Sequence, residues 1–215
     1  MTNFAATVLS TVSSAQRHEP DTEMVVIFRR VGQRRYAIEV KRASFPDVEM
    51  NPAPGYDPRM PHDLLHLVVE AQLGLTRGVF GQLAAGGDAG TFHPIFKSEE
   101  TSRAASRIRH RVRARGKKLM RAGRDESAMS ERATFICWHE WLARLQSEHG
   151  RSAARNMDRQ ATQVRDVAPA TELRTLNGKR LEEICRHMDE LSSHWSRLEI
   201  GQSMAVRWPD LAVMG

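Results

Sequence analysis

The chain has 215 residues, of which 40% are hydrophobic and 27% are charged. That length suits one globular domain, and the apolar content lies well above that of disordered chains. No segment holds the roughly 18 consecutive apolar residues that a helical membrane span needs, which excludes an integral membrane protein of that kind. Cys137 and Cys185 are the only cysteines in the sequence, so a disulfide framework and a cysteine-built zinc finger are also excluded.

The N-terminal part of the chain changes character near residue 23. Residues 1–22 are small and polar, and we expect them to form a mobile tail. They lack both a basic start and a long apolar run, so we expect no secretory signal and a cytoplasmic location. Residues 23–215 are predicted to form a single domain. It opens with two apolar runs, 24–28 and 36–40, whose glycine-containing connection predicts a β-hairpin.

A proline-rich stretch follows the hairpin. Pro52, Pro54 and Pro58 each lack a backbone donor, so residues 50–58 are predicted to be irregular. A helix is predicted over residues 61–75. The glycines after it do not follow a strand and do not have the spacing of a phosphate loop, which argues against a nucleotide site.

The remaining segments predict helices and one last strand. Helical periodicity appears over residues 99–122, 130–148 and 181–195, whereas the polar residues 150–170 predict an exposed connection. Alternating apolar residues at 204–208 predict a strand that pairs with the hairpin. The predicted fold is therefore α+β, with a small antiparallel sheet (the N-terminal hairpin plus the C-terminal strand) covered by about four helices.

The helix predicted over residues 61–75 carries an unusual strip of polar residues. At 100° per residue, His62, Asp63, His66 and Glu70 fall within one arc of about 100°. The other positions are mainly leucine, valine and alanine, and no lysine or arginine occurs between residues 60 and 76. Such a helix is predicted to be mostly buried, and buried imidazoles and carboxylates need partners. A divalent metal ion, most simply zinc, would satisfy several of them at once.

Helix geometry leaves two ligand sets open. His62 and His66 lie one turn apart, the spacing with which two imidazoles bind one zinc ion. Glu70 lies about 12 Å from His62 along the axis, so Glu70 either orients His66 or replaces His62 as a ligand. A further ligand must come from elsewhere in the chain, and the candidates are His93, His139, Glu140, His187 and His194. In a hydrolase built on this site, Asp63 or Glu70 would be the acid–base group, acting on an unidentified small molecule or peptide.

The sequence His62-Asp63-Leu64-Leu65-His66 resembles the His-Glu-x-x-His helix of zinc metallopeptidases, with Asp63 in place of the glutamate base. It is also similar to the His-Asp-x-x-His helix of a ubiquinone-biosynthesis family. That family's pattern continues to a glutamate twelve residues after the second histidine, where this chain has Gly78. Both resemblances cover about a dozen residues and imply a metal-binding helix. Two other hypotheses remain open for the same strip, a structural set of hydrogen-bonded side chains and a cleft that works without metal.

Positive charge is concentrated in one segment. Ten basic residues and no acid occur between residues 102 and 124, and the rest of the chain is net negative although the whole carries +6. This segment could bind nucleic acid, an acidic protein or a membrane surface, with Arg107, Arg111, Arg115 and Lys118 as contact residues. It could also be a solvated helix face, because 27 arginines against five lysines indicate a GC-rich genome, typical of many bacteria.

Overall fold

The computed structural model describes residues 23–96 and 101–214, so the predicted tail at residues 1–22 lies outside the described residues. The strands are β1 (Met24–Gly32), β2 (Arg35–Arg42), β3 (Val48–Ala53), β4 (His93–Pro94), β5 (Ser203–Trp208) and β6 (Val213–Met214). The helices are α1 (His62–Leu73), α2 (Val79–Ala84), α3 (Ser102–Ala122), α4 (Arg124–Arg144), α5 (Glu148–Val167), α6 (Ala170–Thr175) and α7 (Gly178–Ser196).

The strands form one antiparallel sheet in the order β4-β3-β2-β1-β5-β6. The predicted hairpin is β1 and β2, and the predicted C-terminal strand β5 pairs with β1, with Val26 opposite Val206. The α+β class is confirmed. The sheet is larger than expected because β3, β4 and β6 extend it, and both edge strands have only two residues. More helices cover it than the predicted four.

Strand β3 corrects the prediction of irregular structure from residue 50 onward. Tyr36 lies opposite Ala53 and Ile38 lies opposite Met50, so the register shifts between these two pairs. Pro52 falls within that irregularity, where its missing N–H removes no regular ladder bond. A proline therefore fits this strand, whereas it would have interrupted an unbroken ladder.

The core lies between one face of the sheet and the helices. Alternate residues of the central strands are buried, as the period of two predicts: Met24, Val26, Phe28, Tyr36, Ile38, Val40, Met204, Val206 and Trp208. Helix α1 contacts α4 and α7, and its residues 64–70 are all buried. A helix without lysine or arginine is thus placed inside the molecule, as the sequence predicts.

Helix α5 occupies residues 148–167, where the sequence predicts an exposed connection. Ser147 caps it by accepting a hydrogen bond from the Gly150 N–H at 3.1 Å. Its buried residues are Gly150, Ala154 and Ala161, and it packs mainly on α4. The fully buried positions carry small side chains, and the larger Met157 and Val164 on the same face are only half-buried, so this face is less apolar than that of most packed helices.

Helix α3 begins at Ser102 and buries only Ala105, Val112 and Gly116. Helix α3 approaches the rest of the protein closely at Gly116. A side chain at this position would collide with Asp88, because its Cβ atom would lie 1.9 Å from Oδ1. The remainder of α3 is largely exposed. None of the helices in the described ranges is both long enough and apolar enough to cross a bilayer.

Candidate metal centre

His62, His66 and Glu131 converge at the surface between α1 and α4. One ligand atom from each lies within 4.8 Å of the others. His66 is buried, whereas His62 is exposed and the Glu131 side chain is 67% exposed. The group therefore borders the protein interior at His66 and is open to solvent at His62 and Glu131.

The distances within this group suit a small divalent cation. The Nε2 atoms of His62 and His66 are 3.1 Å apart, and Nε2 of His66 is 3.6 Å from Oε2 of Glu131. Two nitrogen atoms bound tetrahedrally to zinc at about 2.0–2.1 Å are separated by about 3.3 Å. The same 3.1 Å also suits an N–H···N hydrogen bond between neutral rings. The two Nε2 atoms and a carboxylate oxygen of Glu131 nevertheless lie within 4.8 Å of one another, close enough for one ion to contact all three.

A chain of hydrogen bonds fixes the orientation of His66. Nδ1 of His66 lies 2.9 Å from Oγ of Ser130, and the Ser130 hydroxyl donates to Oε1 of Glu70 at 2.7 Å. Because that hydroxyl proton points to Glu70, Ser130 accepts from the Nδ1–H of His66. Oγ1 of Thr134 is a second neighbour of Nδ1, at 3.3 Å. The Nε2 atom is then left with its lone pair directed toward His62 and Glu131, as metal binding requires.

Glu70 is fully buried and serves as an acceptor. The N–H groups of Val79 and Phe80 at the start of α2 donate to its two oxygens, each at 2.8 Å, and Ser130 is the third donor. Burial raises the pKa of Glu70, and these donors oppose that rise by stabilising the carboxylate. Gly78 makes the arrangement possible, since a Cβ atom there would lie 2.3 Å from Cδ of Glu70.

The charges around the group favour a cation. Contact with His66 lowers the pKa of Glu131, so this carboxylate is ionised at neutral pH. Burial and the adjacent His66 lower the pKa of His62, which favours the neutral imidazole that a metal ion needs. Burial also acts to lower the pKa of His66, but the Glu131 and Glu70 carboxylates outweigh it and the net shift is upward. The two carboxylates therefore stabilise positive charge at His66, and a proton on Nε2 competes with a metal ion for that position.

Asp63 points to a different neighbour. Its Oδ2 accepts a short hydrogen bond from the hydroxyl of Tyr36, which also contacts the Pro54 carbonyl. Burial raises the pKa of Asp63, and Tyr36, His62 and His66 oppose that rise. Asp63 thus ties the first turn of α1 to β2 and is not among the converging ligand atoms of the described group.

The structure brings together some of the predicted site residues and separates others. His62 and His66 lie in the group, whereas Glu70 reaches it only through Ser130, as in the first of the two predicted arrangements. The third member is Glu131, and none of the five ligand candidates outside α1 belongs to the described group. His93, for example, lies in β4, and His139 contacts Asp158 at 2.7 Å.

Sequence reasoning missed Ser130 and Glu131 for different reasons. Helix α4 begins at Arg124, six residues before the predicted start, so both residues lie inside the helix. Ser130, Thr134, Cys137 and Trp141 are buried at spacings of four, three and four, a signal that could have identified two polar residues on the inner face. Glu131 gives no such signal, because it resembles any exposed glutamate on a polar helix.

In comparisons with protein-family models, curated protein sequences and solved structures, nothing matches this chain at a significant level. The resemblance to metallopeptidases and to the ubiquinone-biosynthesis family is therefore confined to the short motif on α1. The case for a site consequently depends on the geometry of His62, His66 and Glu131.

Proposed function

We propose that this protein binds a divalent metal ion, with zinc the best fit, through His62, His66 and Glu131, and uses the ion in a hydrolytic reaction. The observation that carries the proposal is the convergence of two Nε2 atoms 3.1 Å apart beside the Glu131 carboxylate. Two imidazoles and one carboxylate are a known ligand set of catalytic zinc sites, which keep another position for water.

The open side of the group supports a catalytic use over a purely structural one. His62 and Glu131 are exposed, so water and a small molecule or a peptide can reach an ion held there. Zinc held by these residues would lower the pKa of a coordinated water to about 7 and so would supply a nucleophile for hydrolysis near neutral pH. The class of substrate, small molecule or peptide, is left open by the proposal.

The two acidic residues of α1 have different roles in this proposal. Glu70 accepts from three donors and is inaccessible, so we assign it the positioning of His66 through Ser130 rather than proton transfer. Asp63 follows His62 directly, and its contact with Tyr36 uses Oδ2. Asp63 is kept as the candidate acid–base group on the strength of the sequence motif alone, because its carboxylate is turned toward Tyr36 and lies outside the converging ligand atoms.

A cytoplasmic location is also part of the proposal. Cys137 and Cys185 are unpaired and buried in helices that contact each other. Free thiols in this position are compatible with a reducing compartment.

Metal titration of the purified, untagged protein tests the site. Isothermal titration with zinc, followed by elemental analysis, should give about one ion per chain for the wild type. Glu131→Gln removes one ligand at an exposed position without disturbing the core, so we expect the affinity to fall by about tenfold or more. His62→Ala should have a similar effect, because it removes one of the converging nitrogens.

The matched control is Asp125→Asn, which removes a carboxylate from an exposed position on the same helix, α4, away from the group. Its affinity should equal that of the wild type. A wild type that takes up no stoichiometric metal, or equal losses of affinity in Asp125→Asn and Glu131→Gln, would contradict the proposed site. If the metal binds, hydrolysis of ester, phosphoester and peptide probes by wild type and Asp63→Asn then tests the reaction.

A further inference from the structure

A second surface, distinct from the metal centre, lies along α3. Its nine arginines and lysines are all exposed, and all but Lys118 form two rows with four-residue spacing. Row A is Arg103, Arg107, Arg111 and Arg115, and row B is Arg109, Arg113, Lys117 and Arg121. At 100° per residue the rows lie on either side of the exposed face, opposite the buried Val112. Each row is about 18 Å long.

Each row borders a cleft between α3 and the body of the protein. Arg111 and Arg115 line a cleft of about 520 Å³ with Phe45 and Gly86. On the other flank, a cleft of about 340 Å³ is lined by three members of row B and by residues 88–94, including His93 of β4. Helix α3 therefore stands as a ridge with positive charge on both flanks.

The charges of α3 are unlike those elsewhere in the chain. Arg132, Arg144 and Arg207 form ion pairs with Glu172, Glu140 and Asp210. Among the described residues, none of the basic side chains in rows A and B has an acidic partner. A genome rich in GC raises arginine content along a whole chain, so it does not explain why eight cations without an acidic partner lie on one helix that contains no acid.

Rows of like charges at four-residue spacing destabilise a helix. An external polyanion would remove this repulsion and form many ion pairs. We propose that α3 binds the phosphate backbone of double-stranded nucleic acid, with the two rows contacting phosphates of the two strands. This function is independent of the metal site.

The exposed face of α3 favours nucleic acid over other polyanions. Protein interfaces have an apolar or aromatic centre, and membrane-bound helices insert an apolar face. The exposed face of α3 carries mostly charged residues. Val112 packs inward, Ile108 and Leu119 are half-buried, and Met120 is the one large apolar residue of α3 that is exposed, too little for an apolar interface. Duplex is favoured over single strands because Phe45 and Phe96 are covered by the guanidinium groups of Arg115 and Arg109, at 4.6 and 5.0 Å. They therefore offer no free ring on which a base could stack.

Fluorescence anisotropy with a labelled mixed-sequence DNA duplex of about 20 base pairs, at salt concentrations between about 50 and 200 mM, tests the proposal. The four-site variant Arg107→Gln, Arg111→Gln, Arg113→Gln and Lys117→Gln keeps the two ring-stacking arginines and uses a good helix former. We expect its affinity to fall by about tenfold or more at low salt. The slope of log affinity against log salt should also become shallower, by about 0.9 for each phosphate that the variant no longer neutralises.

The matched control removes four exposed cations outside α3 that have no ion pair within the described part of the chain: Arg34→Gln, Arg159→Gln, Arg174→Gln and Lys179→Gln. It has the same net charge as the α3 variant and should bind the duplex nearly as the wild type does. Equal losses of affinity in the two variants would reduce the effect to net charge and overturn the proposal. The proposal would also be overturned by binding that does not change with salt or by tighter binding of single strands than of duplex. Polyglutamate that competes with the labelled duplex as well as unlabelled duplex does would overturn it too. Melting curves establish that both variants are folded.

Discussion

Gly78 has no side chain, and the carboxylate of Glu70 occupies the space that one would need. In Gly78→Ala the new Cβ would collide with Glu70, whose displacement leaves the Val79 and Phe80 N–H groups without an acceptor. We expect the free energy of unfolding to fall by about 2–4 kcal/mol, measured by urea denaturation with a chelator present. Metal affinity should fall as well, because His66 loses the chain of hydrogen bonds that orients it.

Gly178 provides the comparison for this substitution. It lies in the first turn of α7, and a Cβ atom there would meet nothing within 4 Å. Gly178→Ala should leave stability unchanged or raise it by up to about 1 kcal/mol, since alanine restricts the unfolded chain. Similar destabilisation of both variants would mean that the effect at position 78 does not come from Glu70.

At the scale of single residues, the sequence predicted the part of the site that lies on one helix. His62 and His66 are recognisable because four residues make about one turn, and this local geometry needs no knowledge of the fold. Glu131 could not be predicted, since its place beside His66 depends on how α4 packs on α1, two helices far apart in the sequence. Glu70 was predicted as a ligand, an acid–base group or a residue that orients His66, and the structure connects it to His66 through Ser130, outside the converging ligand atoms.

Among the secondary structure elements, α5 gives the sharpest test of packing. Ala161 is 1% exposed in α5, while the adjacent Gln160 is exposed. Ala161→Leu places three additional carbon atoms in a close contact, and we expect a loss of about 1–3 kcal/mol in the free energy of unfolding. Chemical denaturation monitored by tryptophan fluorescence measures it.

Gln160→Leu adds a leucine one position away on the same helix, and it points to solvent. Its effect should stay within about 0.5 kcal/mol, which is usual for surface substitutions. If Ala161→Leu were equally harmless, residues 148–167 would behave as the exposed connection that the sequence predicts.

The elements that sequence patterns predicted well are those that bury large side chains. The hairpin, β5 and α7 show the expected period because leucine, isoleucine, valine and aromatic residues mark the buried positions. Helix α1 is apolar around most of its circumference, and that composition predicted its burial. Helix α5 and strand β3 were missed for the opposite reason. The first fully buries only alanine and glycine, with Met157 and Val164 half-buried beside them. The second contains Pro52, whose tolerance depends on a register shift in the pairing with β2.

For the molecule as a whole, a metal ion at this site would join α1 to α4. Binding to the folded state alone stabilises it, by about 2.7 kcal/mol when the free ion is at one hundred times its dissociation constant. For a chain of this length that corresponds to a rise of about 5–10 °C in the melting temperature. Calorimetry of the wild type with zinc and with chelator should show this difference.

The same measurement on Glu131→Gln separates site binding from general effects of zinc. At the concentration that stabilises the wild type, the variant should show a clearly smaller rise, because its site is less occupied. A melting temperature that is indifferent to zinc and chelator in the wild type, or that shifts equally in both proteins, would exclude a metal bridge between α1 and α4.

The two-residue edge strands of the sheet also bear on how copies of this chain meet. A long exposed edge offers unpaired N–H and C=O groups that can recruit a strand from another molecule. Here one edge ends in β4, where Pro94 lacks a donor, and the other ends in β6, which pairs with β5 through two residue pairs. The described sheet is thus a poor template for aggregation by strand addition. Any assembly formed through the described residues would therefore depend on contacts between side chains rather than on a sheet continued from one copy to the next.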